Sequence, residues 1–90
     1  MSPAAQPLAD APPHSDGLTD YDRHHLKTYI RLLDAAADRA DWREVADIVL
    51  GLDVASHPEH ARLVHDAHLE RARWMTTTGY RELLTDAAGH

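Results

Sequence analysis

Apolar positions in the middle of the chain recur every three to four residues, the spacing that gathers side chains on one side of a helix. Leu26, Tyr29, Ile30, Leu33 and Ala37 fall at i, i+3, i+4, i+7 and i+11 and predict a first helix with these five on its buried face. Thr19 precedes it as an N-cap, with Asp22 three residues on, where the helix dipole favours negative charge. Asp41 followed by Glu44 reads as an aspartate-led capping box. Trp42, Val45, Ala46 and Val49 supply the apolar stripe of a second helix, and Gly51 stops it. Ser56 and Glu59 repeat the capping-box spacing, with Pro58 acceptable in a first turn, and predict a third helix over residues 57–77. Its apolar positions are Leu63, Val64, Ala67, Ala72, Trp74 and Met75. Gly79 can take the left-handed geometry that ends a helix, after which Leu83 and Leu84 fold back.

No segment alternates apolar and polar residues as a strand would, and no repeat is present. The pattern therefore predicts an all-α fold: a three-helix helix-turn-helix variant with an extended turn and a short C-terminal segment. Periodicity alone fits a plain three-helix bundle equally well. Residues 1–17 hold four of the five prolines and no aromatic residue, and read as a disordered Pro/Ala-rich tail. The domain is expected over residues 18–86, with a flexible end at 87–90.

Ninety residues with 43% apolar content allow one small core. Cysteine is absent, which removes disulfides, thiolate metal sites and thiol nucleophiles. No apolar run reaches the length of a membrane span and no leader pattern opens the chain, so a cytoplasmic protein is expected. Fifteen acidic against nine basic residues leave a net charge of −6, opposite to the surplus that phosphate binding needs. On the third helix Glu59, Asp66 and Glu70 balance Arg62, Arg71 and Arg73.

The run HLKTYIRLLDAAADRADWREVADIVLG, followed by RLVHDAHLERARWMTTTGYRELL, resembles the bacterial domain-of-unknown-function family 2285, the RovC-like DNA-binding domain. The matching positions are Leu26, Leu32-Leu33-Asp34, Arg43-Glu44-Val45-Ala46, Leu50-Gly51, Ala72-Arg73, Gly79-Tyr80-Arg81 and Leu83-Leu84, together covering residues 24–84. The resemblance implies a helix-turn-helix with an enlarged turn, here residues 52–57, in transcriptional regulators of mobile elements and secretion systems. In acidity and size the chain is most similar to the stand-alone QseM-type antiactivators of that family. Such a protein would bind the N-terminal partner domain of a transcriptional activator, FseA-like or a quorum-sensing regulator, and block activation of conjugative-element transfer genes. The partner-binding candidates are then Tyr21, His25, Lys27, Thr28, Arg31, Trp74, Tyr80, Arg81 and Leu84, from the exposed side of the first helix and the C-terminal segment. Arg43, Glu59, Arg62, Asp66, Glu70 and Arg73 form a vestigial DNA-facing surface with weak or absent DNA binding. The alternative is a direct DNA-binding helix-turn-helix regulator using Arg43, Arg62 and Arg73.

Eight histidines raise the question of a metal. His57, His60, His65 and His68 are spaced three, five and three apart. On an ideal helix His60 and His65 project about 140° apart, so the four cannot converge on one ion, and solvated or partner-contacting rings are expected instead. His24 and His25 point to different sides, which leaves one of them in solvent, and a modest pH response is expected because histidine titrates near neutrality. Asp41, Glu44 and Asp47 crowd a helix start, where capping explains them better than acid-base chemistry. No nucleophile or phosphate-cradling loop completes a catalytic set, so neither enzyme activity, cofactor nor small-molecule substrate is expected. Trp42, Tyr29 and Tyr80 read as core or core-edge residues, and Trp74 as equally suited to core or partner. Arg71 interrupts the inner side of the third helix, which requires an acidic partner or a path to the rim.

Overall fold

The structure, a computed structural model, describes residues 8–15 and 17–79. These form four α-helices: α1 (Asp20–His24), α2 (Leu26–Ala37), α3 (Trp42–Ile48) and α4 (Pro58–Trp74). A single π-helical turn, Met75–Gly79, follows α4. Helix α4 is the spine on which α2 and α3 pack. The all-α, helix-turn-helix-like architecture is as the sequence predicts, with α3, a broad turn and α4 as the pair.

The first helix departs from expectation by breaking in two at His25, whose φ of −110° and ψ of 17° leave the helical region. The His25 amide donates to both the Tyr21 and Asp22 carbonyls, and the Tyr29 amide resumes the ladder on the His25 carbonyl at 2.9 Å. Thr19 caps α1 as anticipated: its hydroxyl accepts from the Asp22 amide, and the Asp22 carboxylate accepts from the Thr19 amide at 2.9 Å.

Helix α2 ends in a left-handed residue, but a non-glycine one: Arg39 has φ 58°. The Arg39 amide donates to Ala36 and the Ala40 amide to Ala35, so the last carbonyls are satisfied as in a Schellman motif. At α3 the Asp41 carboxylate accepts from the Arg43 amide, while Gly51, with φ 67°, takes the chain out of the helix as expected. The capping box expected at Ser56 and Glu59 does not form. The Ser56 amide donates to Asp53 Oδ1 at 3.0 Å in a turn of its own, and α4 begins from His57 without a side-chain cap. Pro58 occupies the first turn, where its missing amide costs nothing.

The core joins Tyr29 and Leu32 of α2, Val45 and Ala46 of α3, and Ala61, Val64 and Ala72 of α4, with Leu18 and Met75 closing one end. Three apolar expectations are corrected, at Ile30 and Ala37 on α2 and Leu63 on α4; Ala37, placed on the buried face, is exposed. Ile30 is 54% exposed, and α2 instead turns Leu32 inward. Its buried direction lies roughly a quarter-turn from the apolar stripe, because Tyr29 and Leu32 share it with the buried polar pair Asp22 and His25. Leu63 on α4 is 70% exposed, and its inner side is completed by His65 and His68. The histidines expected in solvent are thus divided: His24, His57 and His60 are exposed, whereas His25, His65 and His68 are buried.

Residues 8–15 and 17, read from sequence as tail, lie against α1 and α4. The Ala9 amide donates to the Tyr21 hydroxyl at 2.9 Å, and the Ser15 and Gly17 carbonyls accept from Arg71 at 2.7 and 2.9 Å. These contacts cross the domain boundary expected at residue 18.

Candidate helix-turn-helix surface

Three exposed or half-exposed groups meet where α3 and α4 begin. Trp42, the first residue of α3, is half-buried, with the Arg43 guanidinium 5.1 Å and the Arg62 guanidinium 4.9 Å from its ring centroid. Both distances fall within cation–π range, so the indole holds two positive charges over the opening of the helix pair. Beside them Trp42, Pro58 and Leu63 wall a shallow apolar depression edged by Glu59 and Arg62.

Along α4 the outward row is Glu59, Arg62, Leu63, Asp66, Glu70 and Arg73, all exposed. Arg62 Nε donates to Asp66 Oδ2 at 3.0 Å, and His65 Nδ1 lies 2.9 Å from Asp66 Oδ1. Burial alone would raise the Asp66 pKa, but the hydrogen bonds from His65 and Arg62 outweigh it and lower the value. Arg71 is absent from this row. Its guanidinium turns inward to Asp22, so the outer face carries three carboxylates (Glu59, Asp66, Glu70) against two guanidiniums (Arg62, Arg73) and is acidic by one charge rather than balanced.

The inward turn of Arg71 builds the central polar knot. Arg71 Nε and Nη2 donate to Asp22 Oδ1 and Oδ2 at 3.0 and 2.6 Å, and the Tyr29 hydroxyl donates to Oδ1 at 2.8 Å. Burial pushes the Asp22 pKa up, but the bonds from Arg71, Thr19 and Tyr29 prevail and hold it at about 2. Burial, and then the Asp22 charge, push the Tyr29 phenol well above its ordinary range. The Arg71 guanidinium also lies over the Trp74 ring, 3.8 Å from its centroid.

Of the partner-binding candidates, Lys27 and Arg31 are exposed and Thr28 is half-buried on α2. Tyr21 and His25, expected on the same exposed side, are buried at 7% and 8% exposure, because α1 turns them towards α4. Their ring centroids are 4.4 Å apart with the planes tilted by 42°, and the Tyr21 hydroxyl meets His68 Nε2 at 2.6 Å. Trp74 is half-buried and packs against the core group of Leu18, Tyr29, Ala72 and Met75. Tyr80, Arg81 and Leu84 lie outside the described residues. Sequence reasoning missed both buried polar pairings. The visible signal for one was Arg71 on an inner helical position, which demanded an acid; nothing local marked Asp22 as that acid, since its capping role accounted for it already.

No three His, Cys, Asp or Glu side chains among the described residues gather as a metal-binding group. No described helix is long and apolar enough to cross a membrane.

The family model of the RovC DNA-binding domain, described as a T6SS transcription factor DNA-binding domain, matches residues 4–85, and the chain belongs to that family. No curated protein matches it.

Proposed function

We propose that this chain is a cytoplasmic transcription regulator that contacts DNA through α3 and the first turns of α4. The observation that carries the reading is the Arg43–Trp42–Arg62 arrangement at the opening of the helix pair, in a family of DNA-binding domains. Arg43, at the N-terminus of α3, is placed to meet a phosphate, and Arg62, on the second turn of α4, a phosphate or base edge. Arg73 extends the same row. The test is a binding titration against duplexes from the upstream regions of neighbouring operons. A specific complex should form at low salt, with affinity falling linearly against log salt at about 0.9 per phosphate contacted. Absence of any specific complex at low salt rejects the reading.

A second reading is favoured by the acidity of the α4 face. With Arg71 withdrawn to Asp22, that face repels phosphate, and the chain acts as an antiactivator: it binds the N-terminal partner domain of an FseA-like activator and blocks activation of conjugative-element transfer genes. Lys27, Thr28 and Arg31, with the C-terminal Tyr80, Arg81 and Leu84, then form the contact. A pull-down with the activator's partner domain decides it, and failure to form a complex at micromolar concentration removes it. The double variant K27E/R31E should abolish this complex.

A further inference from the structure

The chain's N-terminal stretch is held to the helices at two separate anchors. One is the Arg71 guanidinium, which donates to the carbonyls of Ser15 and Gly17 at 2.7 and 2.9 Å while it binds Asp22. The other is a hydrogen-bond relay ending in a histidine with no solvent exposure. The Ala9 amide lies 2.9 Å from the Tyr21 hydroxyl, that hydroxyl lies 2.6 Å from His68 Nε2, and His68 Nδ1 lies 2.7 Å from the Val64 carbonyl oxygen.

The donor directions in the relay follow from its two ends. The Val64 carbonyl only accepts, so His68 Nδ1 carries the hydrogen, and Nε2 of the neutral ring is the acceptor. The Tyr21 O–H therefore points at His68, and the Tyr21 oxygen is left to accept from Ala9. Every donor has an acceptor, but only while His68 is neutral.

We propose that residues 8–10 are an acid-released strap: a proton on His68 Nε2 reverses the Tyr21–His68 hydrogen bond and detaches Ala9, while Arg71 keeps Ser15 and Gly17 in place. Once Nε2–H donates, the Tyr21 oxygen must accept from it, and the displaced hydroxyl hydrogen turns to the side from which the Ala9 N–H donates. Two donors then face each other at a part-buried site, and the Ala9 amide, on an exposed residue, turns to water instead.

The groups around His68 set the conditions. From α1 come Tyr21 and Asp22, the charge of Asp22 being committed to Arg71; from the α1–α2 break comes His25, in tilted ring contact with Tyr21; from α4 itself comes His65, bonded to Asp66. Burial first, and then the neighbouring His25 and His65, lower the His68 pKa below its ordinary 6.5, so release falls on the acid side of that value. Asp22 stays ionised down to about 2, so the Arg71 anchor survives throughout the window. The strap's exposed Asp10 also lies 3.4 Å from exposed His60, a pair that solvent screens to little effect. Next to the strap, residues 11–15 and α4 enclose a cavity of about 370 Å³ lined by Pro12, Pro13, His14, Ala67, Glu70 and Trp74 among others, which the Arg71 anchor keeps in place when residues 8–10 detach.

The experiment follows amide and histidine-ring NMR signals of the full chain from pH 7.5 to 4. Ala9 and the His68 ring should shift with one midpoint below 6.5, while Ser15 and Gly17 stay fixed and far-ultraviolet circular dichroism is unchanged. In H68Q the Ala9 step should vanish; in Y21F, Ala9 should sit at its released position already at pH 7.5. An Ala9 step that persists in H68Q, or coincides with release of Ser15 and Gly17, would overturn the proposal. Should H68Q fail to fold, an Ala9 signal in Y21F that still moves with His68 overturns it equally.

Discussion

Asp22 and Arg71, 49 residues apart, are joined by two hydrogen bonds of 3.0 and 2.6 Å, with side-chain exposures of 1% and 10%. The pair ties α1 to α4, and through the Ser15 and Gly17 carbonyls it ties the N-terminal stretch to both. Removing one partner strands the other charge in the interior, which costs about 3–5 kcal/mol. Arg71→Met should lower stability by that amount in chemical denaturation, and should lower the salt dependence of stability little, since the pair is shielded from ions. A loss under about 1 kcal/mol would show that Asp22 is not left as an uncompensated buried charge when Arg71 is removed.

The same carboxylate sets the acid limit of the fold. Its pKa is about 2 in the folded chain against 3.8 ordinarily, so the folded state holds the ionised form more strongly than the unfolded state does. The stability this contributes, on the order of 2 kcal/mol, is fully present above pH ~4 and is lost as pH falls towards 2. His68 acts at higher pH. Lowered below 6.5, it favours the folded state fully only above that value, and its contribution declines as pH drops through the acid side. A denaturation series should therefore show two falls, the first removed by H68Q and the second by Asp22→Asn.

Arg39 at φ 58° holds a left-handed conformation that costs an L-residue about 1 kcal/mol. Arg39→Gly should raise stability by up to that amount, offset in part by the greater freedom of glycine in the unfolded chain. At Gly51, with φ 67°, an added methyl group would meet nothing within 4 Å, so Gly51→Ala should destabilise by a similar amount through backbone strain alone. Thermal melts of both variants read the signs directly.

Leu32 and Ile30 test how the helices face the core. Leu32 is 1% exposed and Ile30 54%. Leu32→Ala should cost about 2–5 kcal/mol, whereas Ile30→Ser should stay within about 0.5 kcal/mol. The apolar period located the helices well, since Thr19, Asp41, Gly51 and Pro58 are local signals that act within a turn of themselves. It misjudged the inward direction because buried Asp22, His25, His65 and His68 occupy inner positions that a polarity pattern assigns to solvent. Their burial depends on partners across the fold, Asp22 with Arg71 and Tyr21 with His68, and no local spacing encodes such pairs. The charged residues of the outward row of α4 were expected from the family resemblance, but Leu63 in that row was read as inner, and the row's net charge depended on where Arg71 turned.

Asp66 offers the sharpest separation of the two functional readings. It accepts from Arg62 at 3.0 Å and so neutralises the guanidinium nearest the opening of α4. If α4 meets DNA, Asp66→Asn frees Arg62 and removes one repulsive charge, which should tighten binding and steepen the salt slope by up to about 0.9, the increment of one further phosphate contact. Arg62→Ala should do the reverse. If the chain instead works by occupying an activator, neither change touches Lys27, Thr28 or Arg31 on α2, and affinity for the activator's partner domain should be unaltered by both. Fluorescence anisotropy with a promoter duplex and with the partner domain, measured on the same pair of variants, decides between them: sensitivity to Asp66 and Arg62 in the first titration alone selects DNA contact, and a complex only in the second, indifferent to both, selects the antiactivator.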